Sequence, residues 1–212
     1  MNIVNDAMSA SMPATAKQFL GSAQPRPLGE MIMYVAILAL LPLIGSIIGF
    51  MIGWGSYIGV GYAILYAIIV YIGTIAAIIG AGFVVSMFSQ GMLGKQVATE
   101  EAVTLVGLAA TPVMLIGFLT GIVSWIWGLS ALGVVLGLLA WLYTAYLLYQ
   151  ASAVRYGADK AIMVPIIALI AGFVIMWIFS WIAASVVTGA ILGPVYAGLG
   201  AYGSPYGYGA LR

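Results

Sequence analysis

The spacing of the charges limits this chain more than any other feature. Between Glu30 and Lys95 there are 64 consecutive residues without Asp, Glu, Lys or Arg, between Glu101 and Arg155 there are 53, and between Lys160 and Arg212 there are 51. Soluble domains are about one quarter charged; here the figure is 5%, with 65% hydrophobic residues and a mean hydropathy of +1.20. Such a chain is an integral membrane protein. One crossing of the hydrocarbon takes roughly 20 apolar residues. The first two gaps therefore hold two spans each, and the third holds one. The apolar runs are continuous rather than alternating, which selects helices over barrel strands.

The turns inside the first two gaps are visible. Gly53-Trp54-Gly55-Ser56-Tyr57 and Ser124-Trp125-Ile126-Trp127-Gly128-Leu129-Ser130 mix small and aromatic residues, as expected at a membrane–water boundary. The predicted architecture is all-α, with five transmembrane helices near 31–53, 58–88, 102–124, 129–152 and 162–187. The second is too long for one straight crossing, so it tilts or protrudes. Residues 1–30 form a polar tail without the apolar core of a secretory signal. Within it Val4, Met8, Met12, Ala16 and Leu20 recur every four residues, compatible with an interfacial helix or a loose tail. Residues 188–212 read as a Gly/Tyr/Pro-rich tail, with a short sixth or re-entrant span over 189–203 left open.

Five spans place Asp6, Lys17, Arg26, Glu30, Lys95, Glu100, Glu101, Arg155, Asp159 and Lys160 on one face, and only Arg212 on the other. Five of the six Lys/Arg residues share that face, so it is expected to be cytoplasmic. Trp54, Trp125, Trp127, Trp177 and Trp181 lie at or towards the opposite ends of their spans; Trp141 alone sits mid-span. In the polar loop before the third span, Thr99 is placed to cap the helix, and Glu100 and Glu101 occupy its dipole-favoured first turn.

Small residues recur at helix-packing spacing. Gly45, Gly49 and Gly53, then Gly117 and Gly121, then Gly133 and Gly137 are candidate packing positions, and Gly73, Ala77 and Ala81 extend the pattern. They serve packing within the bundle or an oligomer interface. Pro112 is a candidate kink, and Thr111 beside it is placed to satisfy the carbonyl that the proline frees.

Chemistry is excluded more readily than assigned. Cysteine and histidine are absent, which removes thiol nucleophiles, imidazole acid–base work and the usual zinc sites. No nucleotide loop or buried carboxylate pair occurs, and a net charge of +1 without a basic run points away from nucleic acid. No catalytic residue, cofactor or metal ligand is expected. No charge falls inside a predicted span, which argues against a charged ion relay.

Two segments carry a family resemblance. One is KQVATEEAVTLVGLAATPVML, leading into the third span. The other is WLYTAYLLYQASAVRYGADKA, closing the fourth and opening the fifth. With five spans behind a short polar N-terminus, the chain resembles the Yip family of Ypt/Rab-interacting membrane proteins over about residues 28–190, in its short prokaryotic form. The matching positions include Thr99, Glu100, Glu101, Pro112, Lys160 and Ala161. The resemblance implies a non-enzymatic protein of trafficking or membrane-organising type. It also implies assembly with another membrane protein and small-GTPase binding, which the family carries largely on a longer N-terminal region that residues 1–30 lack. It implies the cell membrane if the chain is prokaryotic.

The expected function is assembly with membrane-protein partners or with further copies of the chain. Lys95, Glu100, Glu101, Arg155 and Lys160 are the candidate contact residues on the charged face, and the bilayer is the surrounding partner. One alternative is a small transporter, channel or permease subunit, with Thr74, Thr104, Thr111, Thr120 and Thr144 as its hydroxyls. The other is an accessory subunit of a larger complex. Because the chain lacks cysteine, a single Cys placed after Arg212 tests the topology cleanly. Five spans predict that an impermeant thiol reagent added outside intact cells labels it, and labelling only after lysis contradicts that count.

Overall fold

The computed structural model describes residues 2–53, 60–126 and 128–202. Trp54, Trp127, Arg212 and the expected turn over 54–57 lie outside them. Eight helices are described: α1 (Ile3–Ser11), α2 (Pro13–Ser22), α3 (Leu28–Gly53), α4 (Val60–Leu93), α5 (Thr99–Ala109), α6 (Thr111–Ser124), α7 (Ser130–Tyr156) and α8 (Met163–Tyr202). Four are long and apolar enough to cross a bilayer, five with the bent pair α5–α6 as one span. At 1.5 Å per residue, the 34-residue α4 is about 50 Å long, well beyond a hydrocarbon core of about 30 Å. Residues 188–202, expected as tail, continue α8 instead. Ala190, Ile191, Leu192, Val195 and Leu199 keep that stretch apolar, and Pro194 removes only one backbone donor.

The third span is not a straight crossing. It bends by 42° between Ala109 and Thr111. Pro112 has no N–H to offer the Leu108 carbonyl, and the Thr111 hydroxyl takes that carbonyl at 2.6 Å. The Tyr34 hydroxyl lies 2.8 Å from Thr111 Oγ1, so the break is hydrogen-bonded although buried. The short α5 is wrapped on all sides: every residue from Ala102 to Ala109 is buried. Helices α3, α4, α7 and the N-terminal pair surround it and form the main core, with Leu105, Leu108, Tyr34 and Leu147 among its largest members.

The N-terminal residues form part of this bundle. Pro13, lacking an N–H, begins α2 at a position where none is needed, and the chain turns at Met12. The Tyr143 hydroxyl donates to the Ser11 carbonyl at 2.9 Å, and Arg155 donates to the Leu20 carbonyl at 3.0 Å. Twelve residues of α7, about 18 Å, separate those two anchors. The segment Ser11–Leu20 thus lies beside α7 and runs in the same direction. The four-residue stripe divides accordingly: Ala16 and Leu20 are buried, whereas Val4, Met8 and Met12 turn outward.

Glycine permits the close approach of α3 and α6. A side chain at Gly45 or Gly53 would strike the carbonyl of Phe118 or Trp125 on α6, and one at Gly121 would sit 2.7 Å from the Ser46 nitrogen on α3. Gly49 faces the Ile122 backbone, a side chain at Gly117 would sit 2.9 Å from Pro42 Cβ, and Gly133 abuts Ser124. Six of the seven candidate packing glycines therefore serve contacts within the chain. Gly137 has open space where a side chain would go. Gly45→Leu and Gly49→Leu should each destabilise the purified protein by about 1–3 kcal/mol, read as a lower thermal midpoint in detergent. Gly137→Leu should leave the midpoint nearly unchanged.

Candidate functional site

Two regions carry polar side chains in a defined arrangement: the charged end of the bundle and a cavity inside it.

At the charged end, Arg155 in the last turn of α7 is the node. Its guanidinium donates to the carbonyls of Leu20 and Ala23 and lies 3.4 Å from Glu101 Oε1. The Tyr156 hydroxyl donates to the same carboxylate oxygen at 2.9 Å. Lys160 Nζ donates to the Leu93 carbonyl at 2.8 Å, and Lys95 Nζ stands 4.7 Å above the Tyr156 ring. The loop from Gly94 to Ala98 is thereby pinned to the loop after α7. Ser86 and Ser89 fasten it from α4, donating to the Val97 carbonyl and accepting from the Val97 N–H. A second ion pair, Asp6–Arg26 at 2.8 Å, closes α1 onto the segment before α3, and the Asp6 hydrogen bond raises the Arg26 pKa.

The five candidate contact residues thus come together but divide in role. Glu101 and Arg155 are partly buried and committed inward, whereas Glu100 is exposed. Lys95 and Lys160 are exposed along their stems with their ammonium groups engaged as above. Gln96 and Asp159 join Glu100 on the outward surface. The cap of α5 differs from expectation. Ala98 holds the N-cap position without a side-chain bond, and Thr99 lies inside the helix, its hydroxyl 3.2 Å from Ser86. Ser86 is bound to Val97 and draws Thr99 into that cluster.

The cavity has a volume of about 450 Å³ and lies between α4, α6, α7 and α8. Its walls are built from small residues: Ala77 and Ala81 on α4, Gly117 and Gly121 on α6, Gly137 and Ala140 on α7, and Gly172 on α8. Thr74, Thr120 and Thr144 line it; Thr104 and Thr111 belong to the core. Thr74 and Thr120 return their hydroxyls to backbone carbonyls of their own helices. Thr144 is 2% exposed, and its hydroxyl has no protein partner among the described residues.

Sequence reasoning did not find this cavity. The available signal was on α7, where Leu138, Leu139 and Leu142 are 57–66% exposed while Gly137, Ala140 and Thr144 face inward. Trp141, the one mid-span tryptophan, also lines the cavity.

Replacing Arg155 by Ala strands the Leu20 and Ala23 carbonyls and the Glu101 carboxylate, at a cost on the order of 3 kcal/mol. Limited proteolysis should then cut residues 1–27 faster than in the parent protein. Arg155→Lys should not restore resistance, because a point ammonium cannot serve two carbonyls and a carboxylate at once.

The family model described as the Yip1 domain matches residues 10–202. No curated protein and no solved structure matches the chain.

Proposed function

The chain belongs to the Yip1 domain family, and from that premise we propose that it is a non-enzymatic integral membrane protein whose charged face, turned to the cytoplasm, assembles with other membrane proteins. The observation carrying this reading is the pinning of two loops into one surface. Lys160 on the Leu93 carbonyl, Lys95 over Tyr156 and the Ser86–Ser89 clasp on Val97 hold that surface before any partner arrives. A pre-formed surface loses little conformational freedom on binding. Gln96, Glu100 and Asp159 stand outward on it as the contact groups. Small-GTPase binding is not part of the proposal; α1, α2 and Arg26 pack against α5 and α7.

Purification at native abundance in a gentle detergent, followed by identification of co-purifying membrane proteins, tests the reading. Gln96→Lys, Glu100→Lys and Asp159→Lys combined should reduce partner recovery while membrane insertion and thermal midpoint stay unchanged. Full recovery with the triple variant overturns it.

The cavity favours a second reading, a small permease subunit. It predicts flux of uncharged solutes through liposomes containing the purified protein above protein-free liposomes, and equal flux removes it.

A further inference from the structure

The cavity is closed at one end. Towards the charged end its floor is Ala81, Val106, Ala110, Met114, Leu148 and Ala168, all at most 5% exposed and all members of the main core. Towards the other end its rim is Tyr66, Ser124 and Trp125, with Ser124 exposed and the two aromatic rings packed edge-to-face at 5.0 Å. From Tyr66 to Ala81 it follows α4 for fifteen residues, about 22 Å. The recess is closed at the charged end, and its volume is within the range of sites that hold one small ligand.

Its chemistry narrows the occupant. Among the described lining residues there is no Asp, Glu, Lys or Arg. A charged ligand would leave water without a counter-charge, which is strongly unfavourable in an apolar interior. The small residues are on the inner side of α7, whereas the same helix carries Leu138, Leu139 and Leu142 outward, so the space is not a shortage of bulky residues. Thr144, 2% exposed, lines this space, and its buried hydroxyl has no protein partner among the described residues. A buried hydroxyl in an apolar wall calls for a hydrogen-bonding partner.

We propose that the cavity binds an uncharged, single-chain lipid-like molecule whose hydroxyl or carbonyl oxygen hydrogen-bonds the Thr144 side chain. The bilayer supplies molecules of this class at high local concentration. The hydrocarbon of the ligand fills the groove beside Gly137, Ala140 and Gly172, and the oxygen relieves the isolated hydroxyl. This site is independent of the charged face, so loss or retention of protein partners does not bear on it.

The test uses the full chain in nanodiscs and a long-chain alcohol carrying a photoactivatable diazirine, with the fatty acid of equal length as the charged control. Labelling by the alcohol should saturate, map to peptides of α6, α7 and α8, and be displaced by unlabelled alcohol. The acid, ionised at neutral pH, should label at least about tenfold more weakly. Gly137→Trp, placed where a side chain has open space, should abolish labelling while the protein still inserts; Gly137→Leu is the gentler variant if the Trp form fails to fold. Thr144→Val keeps the side-chain shape and should weaken alcohol binding about three- to tenfold. Unsaturable labelling, equal labelling by the acid, or undiminished labelling in a folded Gly137 variant overturns the site. Undiminished affinity in Thr144→Val overturns the assigned hydrogen bond and with it the oxygen-bearing ligand.

Discussion

Arg155 joins parts of the chain that are more than fifty residues apart in sequence. Its guanidinium reaches the end of α2, the first turn of α5 and its own helix α7 at once. Its side chain is 9% exposed, and a charge so buried persists only when its donors are spent. Two backbone carbonyls and a carboxylate spend them here. The order of the charged end depends on this arrangement. With α2 seated, α1 folds over α5 and brings Asp6 to Arg26, whose backbone N–H donates to the Thr104 hydroxyl. Glu101, fixed by Arg155 and Tyr156, in turn sets where α5 enters the core.

The two ends of the bundle follow opposite packing rules. Near the charges, α5 is buried from Ala102 to Ala109 and the core is filled by Leu, Met, Tyr and Val. Towards the far end, α3 and α6 approach through facing glycines, α4 packs along α8, and the cavity lies between α4, α6, α7 and α8. The break at Ala110 separates these regimes. Its polar atoms are served by Thr111 and Tyr34, which lets the chain change direction inside the protein without stranding a carbonyl.

The legible part of this structure is the part governed by one-dimensional pattern. Charge-free stretches longer than a bilayer is thick mark spans whatever surrounds them, so α3, α4, α7 and the first part of α8 could be read directly. The relation of Thr111 to Pro112 was also readable, because both ends of that bond lie within four residues. The seat of α1 and α2 was not. Arg155 recognises them through the Leu20 and Ala23 carbonyls, and a backbone carbonyl is the same at every position. Thr99 misled for a related reason: a capping residue suits a helix start, but Ser86, thirteen positions away, engages its hydroxyl instead. The cavity depends on where Gly137, Ala140 and Thr144 point, which only the assembled helices decide.

The placement of α1 and α2 bears on how the protein is made. Residues 3–22 are synthesised before α5 and α7, yet these two helices form the groove that receives them, and α7 ends at Tyr156. Until α7 is in the membrane, Ala16 and Leu20 have nowhere to bury, and the Leu20 and Ala23 carbonyls have no guanidinium to meet. Residues synthesised ahead of every described span thus reach their final place only after α7. Any factor that holds residues 3–22 during insertion would act on a segment whose final place does not yet exist.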